Sequence, residues 1–132
     1  MTLVVDASAI VSALVDDGPV GSWTEAQMRA ADRLAAPHVM PAEAGNVLRR
    51  AELAGDVPAT CAGMAFHDLV DLPVELYPFE PLAERIWSLR GAITVYDAWY
   101  VSLAESLGVP LLTLDRRLAN APKVTCPVIT PP

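Results

Sequence analysis

Thr2-Leu3-Val4-Val5-Asp6 opens the chain, and a second run of the same kind, Pro110-Leu111-Leu112-Thr113-Leu114-Asp115, lies near its end. Each is short, apolar, closed by an aspartate and followed by a helix-like segment. That is the pattern of a strand buried on both faces of a parallel sheet. All strands of such a sheet point one way, so both carboxylates are expected on one edge. If the two strands are neighbours, the acids share the crevice where open α/β sheets place their chemistry.

Outward from these runs, helices and strands alternate. Residues 8–15 continue from the first strand as a short apolar helix, stopped by Asp16-Asp17-Gly18-Pro19. Residues 23–34 are a second helix and 35–39 a weak strand. Pro41 then stands where prolines start helices, leading into a helix over 42–54 with Gly55 as its stop. Residues 57–70 form another helix opened by Pro58, and 74–77 a short alternating strand. A helix over 82–90 ends before Gly91. The clearest helix runs from 94 to 107, with Thr94 as cap, Asp97 at the third helical position and Gly108 as terminator, a capping-box arrangement. One helical turn follows at 116–120, then a proline-interrupted edge strand over 124–129. With no repeat or linker, residues 1–132 read as a single α/β domain of three layers, α/β/α, around a central, mostly parallel sheet.

Composition narrows the function classes. Hydrophobic residues make up 53% and charged residues 19%, which excludes disorder. The mean hydropathy of +0.35 is high for a soluble monomer, so apolar surface is expected to be covered by a second copy or a partner. No apolar stretch approaches the ~18 residues of a membrane span. Met1 runs into the first strand with no basic leader, so a cytoplasmic protein is expected. Cys61 and Cys126 read as two reduced, buried thiols. The net charge of −7 repels nucleic acid as a whole. A nucleic-acid substrate therefore needs a local basic rim, a metal, or both.

Four acids fall at structurally equivalent places: Asp6 and Asp115 after strands, Glu43 and Asp97 in the first turns of helices. Any one of them has a dull explanation, because carboxylates cap helices and favour their N-termini. Together they are more telling, since strand ends and the starts of the following helices share one face of a parallel sheet. Two carboxylates ~5 Å apart repel by roughly 3 kcal/mol at an effective dielectric of about 20. A divalent cation removes that penalty, and an oxygen-only ligand set suits Mg²⁺ or Mn²⁺. With no Ser/His or Cys/His pair nearby, metal-activated water is the natural nucleophile.

Ser8, two residues past Asp6, Thr113, two before Asp115, and Asn46, one turn beyond Glu43, are candidates to orient the acids. Their plain alternatives are a helix cap, a buried strand hydroxyl and a surface amide. Arg49, Arg50, Arg116 and Arg117 flank the acidic segments as candidate phosphate contacts or as a solvated face. Trp23, Trp87 and Trp99 fit either core packing or base stacking.

The blocks VVDASAI, PAEAGNVLRR, TVYDAWYVSLAESLGVP and LLTLDRRL, in this order and spacing, resemble the PIN-domain ribonucleases, specifically the VapC toxins of bacterial toxin–antitoxin pairs. The resemblance covers essentially the whole chain. It implies a PIN-like α/β/α fold and a Mg²⁺- or Mn²⁺-dependent endoribonuclease. It also implies a cognate VapB-type antitoxin as inhibitor, and a homodimer is expected. By position it makes Asp6, Glu43, Asp97 and Asp115 the catalytic, metal-binding acids, with Ser8, Asn46 and Thr113 in support. One departure is that Arg116, Arg117, Leu118 and Ala119 stand where some members carry a further acid.

Other readings fit less well. A receiver domain needs an acidic pair after the first strand, a phospho-accepting aspartate after a middle strand and a late lysine. Here Asp6 stands alone and the middle strand ends at Tyr77-Pro78-Phe79. A haloacid-dehalogenase-like phosphatase needs an aspartate where Ser8 stands. His67-Asp68 lacks the further histidines of an HD phosphohydrolase and reads as helix surface. A non-catalytic RNA- or protein-binding module of the same fold is the alternative from another class, and it gains little from four mutually repelling acids.

Overall fold

Thr2–Val5 forms strand β1, with Val4 and Val5 fully buried as the apolar run predicts. The computed structural model describes residues 1–132. Four more strands complete the sheet: β2 (Arg33–Pro37), β3 (Val74–Tyr77), β4 (Leu111–Leu112) and β5 (Val128–Ile129). Their order is β3-β2-β1-β4-β5, and every pairing is parallel. The two runs that close on aspartates are therefore direct neighbours, registered Val4 to Leu111 and Val5 to Leu112.

Seven helices connect and cover the strands: α1 (Ala7–Val15), α2 (Pro19–Ala30), α3 (Met40–Leu53), α4 (Ala59–Asp71), α5 (Ala83–Ser88), α6 (Val95–Leu107) and α7 (Arg116–Ala119). The chain steps outward from β1 to β2 and β3, then crosses back to β4 and β5 on the other side. Right-handed crossovers put helices of the two halves on opposite faces. The packing agrees, since α1 meets α2, α3 and α4, while α6 packs on α5 and on β1 and β2. The direction of progress reverses between β1 and β4, the switch point at which open α/β sheets form a crevice.

Most predicted elements are present, with shifted ends. The second helix starts at Pro19 rather than residue 23 and stops at Ala30. Pro19 occupies its first turn, where a proline lacks an N–H that would be unsatisfied anyway. Residues 33 and 34 join the strand instead of the helix because they pair with Thr2 and Leu3 of β1. The last strand is reduced to Val128–Ile129, and the helix before Gly91 is shortened to Ala83–Ser88, entered through a 3-10 turn over Glu80–Leu82. Cys61 is exposed and Cys126 half-buried, so both thiols are free but the expectation that both are buried fails. Cys61 lies on the outer side of α4, where no second layer covers it.

Gly45 shows why α3 tolerates a residue that costs about 1 kcal/mol relative to alanine in a helix. A Cβ there would stand 3.1 Å from the Phe66 ring, so the glycine lets α3 and α4 approach closely. Much of α4 is left uncovered. Met64, Phe66 and Val70 on this helix, with Leu53 at the end of α3, are exposed large apolar side chains. Here is the uncovered apolar surface that the hydropathy predicts.

Candidate active site

Asp6 is the residue at which β1 becomes α1. Its backbone N–H donates to Leu112 O across to β4 (3.1 Å), and its side chain caps α1 by accepting from Ala9 N–H (3.0 Å). Ser8 Oγ donates to the same oxygen, Oδ1, at 2.6 Å, and Thr113 Oγ1 donates to Oδ2. Thr113 is wholly buried and also accepts from Asp115 N–H (3.0 Å), so one hydroxyl joins the two strand ends. Ser8 Oγ likewise accepts from Leu114 N–H at 3.3 Å. Both hydroxyls therefore orient the Asp6 carboxylate, and each also accepts a backbone N–H from the segment after β4. Burial holds the Asp6 carboxyl above the usual range, the hydrogen bonds from Ser8, Thr113 and Ala9 pull it back, and Asp97 pushes it up further.

Glu43 projects from the first turn of α3, and Tyr100 of α6 donates its hydroxyl to Glu43 Oε1 at 2.7 Å. Tyr100 is only 3% exposed. Burial raises the Glu43 carboxyl, Tyr100 lowers it, and both Asp97 and Asp6 raise it. Asp97 sits in the first turn of α6, its N–H donating to the capping Thr94 Oγ1 at 3.1 Å. Burial raises Asp97, Thr94 opposes, and Asp115 adds a further upward push against Arg117. The four acids thus lie in one electrostatic neighbourhood, although four separate segments of chain supply them.

Asp115 differs. It caps α7 through Arg117 N–H (3.0 Å), and the Arg117 guanidinium grips both its oxygens, Nε to Oδ1 at 3.0 Å and Nη2 to Oδ2 at 2.9 Å. The Arg117 side chain is the main reason that this carboxyl titrates low. No three of the acids converge as a finished coordination shell. The physical reason is visible: Asp115 is turned onto Arg117, Glu43 onto Tyr100, and Asp6 onto Ser8 and Thr113. In kind, the donor set still fits a hard divalent cation. It offers only carboxylate oxygens, and Asp6, Glu43 and Asp97 form no salt bridge.

The remaining candidates divide. Asn46 is exposed on α3 and makes no hydrogen bond, which leaves it a surface amide beside Glu43. Arg49 and Arg50 are exposed further along the same helix. Arg116 does not face the acids: its Nη2 donates to the carbonyls of Pro131 (3.1 Å) and Pro132 (3.3 Å), tying down the chain end. His67 and Asp71 make an exposed pair one turn apart on α4, so the histidine is helix surface as expected. A cleft of about 660 Å³ opens beside Asp97 and Asp115, bounded by residues 90–94 and 117–122. Sequence reading missed Tyr100 and this cleft. The one signal for Tyr100 was its place one turn after Asp97, on the same face of α6.

Comparison with known proteins follows the same lines. The PIN domain family model matches residues 3–124. Ribonuclease VapC9 of Mycobacterium tuberculosis (strain ATCC 25618 / H37Rv) is 38% identical over 130 residues, covering 98% of each chain. Ribonuclease VapC1 of the same strain is 42% identical over 126 residues, 95% of this chain and 94% of that one. Among solved structures, VapBC2 from Rickettsia felis, bound to a DNA fragment from its promoter, superposes with a TM-score of 0.69 at 13% identity over 98% of each chain, a likeness of fold. With its parallel sheet, its switch-point acids and these near-full-length relatives, the chain belongs to the PIN-domain family, within its group of VapC ribonucleases.

Proposed function

We propose that this protein is a metal-dependent endoribonuclease, the toxin of a VapBC-type toxin–antitoxin pair, that hydrolyses RNA phosphodiester bonds at the β1–β4 switch point. One observation carries the reading: Asp6, Glu43 and Asp97, brought to one edge of the sheet, are partly or wholly buried with no cationic side chain paired to them, and burial and neighbouring carboxylates hold each above its ordinary value. Such an arrangement stores repulsion that a fold has no reason to keep for stability alone. Asp6, Glu43, Asp97 and Asp115 would hold Mg²⁺ or Mn²⁺. When bound, that ion supplies charge neutralisation at the phosphoryl oxygens and a water of lowered pKa.

The chain's own residues supply the positioning. Ser8 and Thr113 fix the rotamer of Asp6, and Tyr100 fixes Glu43. Ser8 spends its hydroxyl on positioning, donating to Asp6 Oδ1 and accepting from Leu114 N–H. Burial of Asp6 at the start of α1 strengthens its electrostatic interactions with the neighbouring acids.

The apolar side chains left exposed on α4 support a protein partner. The likeness to VapBC complexes makes a VapB-type antitoxin the partner we assign, with a second copy of the chain and a cytoplasmic setting as further parts of the reading. No helix is long and apolar enough to cross a membrane. Sedimentation of the purified chain is expected to give a dimer at micromolar concentration, and a monomer sinks that assignment.

Cleavage of RNA by purified protein should require Mg²⁺ or Mn²⁺, and Asp97→Asn should lower its rate by about 10²-fold or more, since it removes an anionic ligand of the ion and loss of a group that merely orients such a ligand already costs about 10–100-fold. Cleavage that survives this substitution, or proceeds in chelator, would overturn the site. RNA binding by a wild-type chain that never cleaves would favour the non-catalytic module.

A further inference from the structure

Of the three tryptophans, Trp23 and Trp99 pack against the core, and Trp99 meets Phe79 edge-on at 5.1 Å between ring centres. Trp87 is left 60% exposed near the end of α5, and the catalytic reading gives it no task. Arg90 lies across it. The guanidinium carbon stands 4.6 Å from the centre of the indole ring, and Nη1 donates to Trp87 O at 2.8 Å. Its backbone is equally restrained, with the Arg90 N–H bonded to Trp87 O (3.2 Å) just after the wholly buried Leu89.

This arginine is one of several without an ion pair, and among them it is the one held against an aromatic ring at the border of the cleft. Acidic residues outnumber basic ones 16 to 9, yet Arg90 pairs with no carboxylate. It borders instead the cleft that reaches Asp97 and Asp115, whose other cation, Arg117, is already committed to Asp115. Stacking uses one face of a guanidinium and leaves its in-plane donors free. Here Nε and Nη2 have no protein partner. Held in place without being neutralised, Arg90 is prepared for an anion that arrives from solution.

We propose that this cleft is a subsite for single-stranded RNA in which Arg90 binds the backbone phosphate neighbouring the scissile one. Trp87 is the positioning residue that keeps the guanidinium turned to the strand. The inference rests on the ribonuclease reading and extends it. It supplies the local basic rim that a chain of net charge −7 needs in order to hold a polyanion. A phosphate contact is indifferent to base identity, so Arg90 contributes affinity and register, not sequence choice.

The test uses the full-length chain, a fluorescein-labelled 20-nucleotide RNA of randomised sequence, and Mg²⁺ throughout. Binding is read by anisotropy in the cleavage-deficient Asp97→Asn background, across a salt series. Adding Arg90→Gln should weaken binding about 5–10-fold and reduce the slope of log K against log salt by about 0.7, the loss of one single-strand phosphate contact. Trp87→Leu should weaken binding less and add little to Arg90→Gln, because both remove the same contact. In the active background, Arg90→Gln should raise KM for the RNA pool more than it lowers kcat. A merely structural Arg90 leaves the salt slope untouched. Unchanged affinity and slope in Arg90→Gln, while wild-type protein still cleaves RNA, overturns the subsite alone. A wild-type chain that neither binds nor cleaves the pool overturns the ribonuclease reading with it.

Discussion

Asp97, in the first turn of α6, and Glu105, two residues before its end, are partly buried carboxylates on one helix, and they are treated in opposite ways. Glu105 is saturated with donors. Arg85 reaches it through Nε (2.8 Å) and Nη2 (3.0 Å), and Thr125 through its N–H (2.8 Å) and hydroxyl (2.6 Å). Burial alone would raise Glu105, but these bonds hold it below the ordinary value. Arg85 also donates to Lys123 O at 2.6 Å, fixing a residue whose φ of 68° is uncommon outside glycine. The pair staples the C-terminal segment to α5 and α6. Asp97 has no cation bound to it, faces three other acids and is held above its ordinary value. Glu105, kept for the fold, is neutralised by the fold itself, whereas Asp97 is left for something else to neutralise.

The widest separation of the two ends should come from Tyr100→Phe. The ring fills the same core space, while Glu43 loses the donor that aims it. Removing a partner that orients a metal ligand typically costs about 10–100-fold in metal affinity. Calorimetric titration of the variant with Mn²⁺ should show that loss, and the metal-free melting curve should show little more than one missing hydrogen bond, about 1 kcal/mol. Unaltered Mn²⁺ affinity would mean that Tyr100 serves packing alone.

Glu105→Gln should do the reverse. Its amide cannot match two charge-assisted bonds to Arg85, so urea denaturation is expected to show a loss of about 1–3 kcal/mol. Cleavage at a temperature where the variant stays folded should be unaltered, since Glu105 touches none of the four acids. Equal stability would break the contrast, because the Arg85–Glu105 staple would then be no more than a surface ion pair.

How much of this was open to sequence reading depends on the range of the interaction. β1 and β4 were legible because a strand buried on both faces must be apolar throughout, and Leu3-Val4-Val5 and Leu111-Leu112 satisfy that locally. The four acids were legible because each sits at a strand end or a helix start, which are local features. The boundary between α2 and β2 was not, since Leu34 continues the helical period and only pairing with Leu3 assigns it to the sheet. Tyr100 was hidden for the same reason. Its partner lies 57 residues away, and an apolar helix with a tyrosine in it reads as core. Arg116 and Arg117 adjoin in sequence but separate in space, one to the chain end and the other to Asp115. Adjacency gave no warning of that division.

The smallest effect, and the one that sees both kinds of carboxylate at once, is the pH dependence of the metal-free protein. Asp6, Glu43 and Asp97 have native values raised above the ordinary 3.8 and 4.5, so the native state binds their protons more readily than the unfolded chain does. The stabilisation they give on protonation is complete below those ordinary values and is lost as pH rises through the raised native ones. Glu105 and Asp115 are lowered, so their contribution is present above the ordinary values and disappears as pH falls through the depressed ones. The two trends meet in mild acid. Melting temperature in chelator should therefore rise as pH falls from neutral towards the ordinary carboxylate values and fall again once pH passes below them. Asp97→Asn should flatten the upper limb and Glu105→Gln the lower. Millimolar Mg²⁺ or Mn²⁺ should lift the melting temperature mainly at the neutral end, where the cluster is ionised and its repulsion is greatest. A melting temperature that climbs steadily towards neutral pH in chelator would mean that Asp6, Glu43 and Asp97 are not under strain, and the case for a cation among them would lose its physical basis.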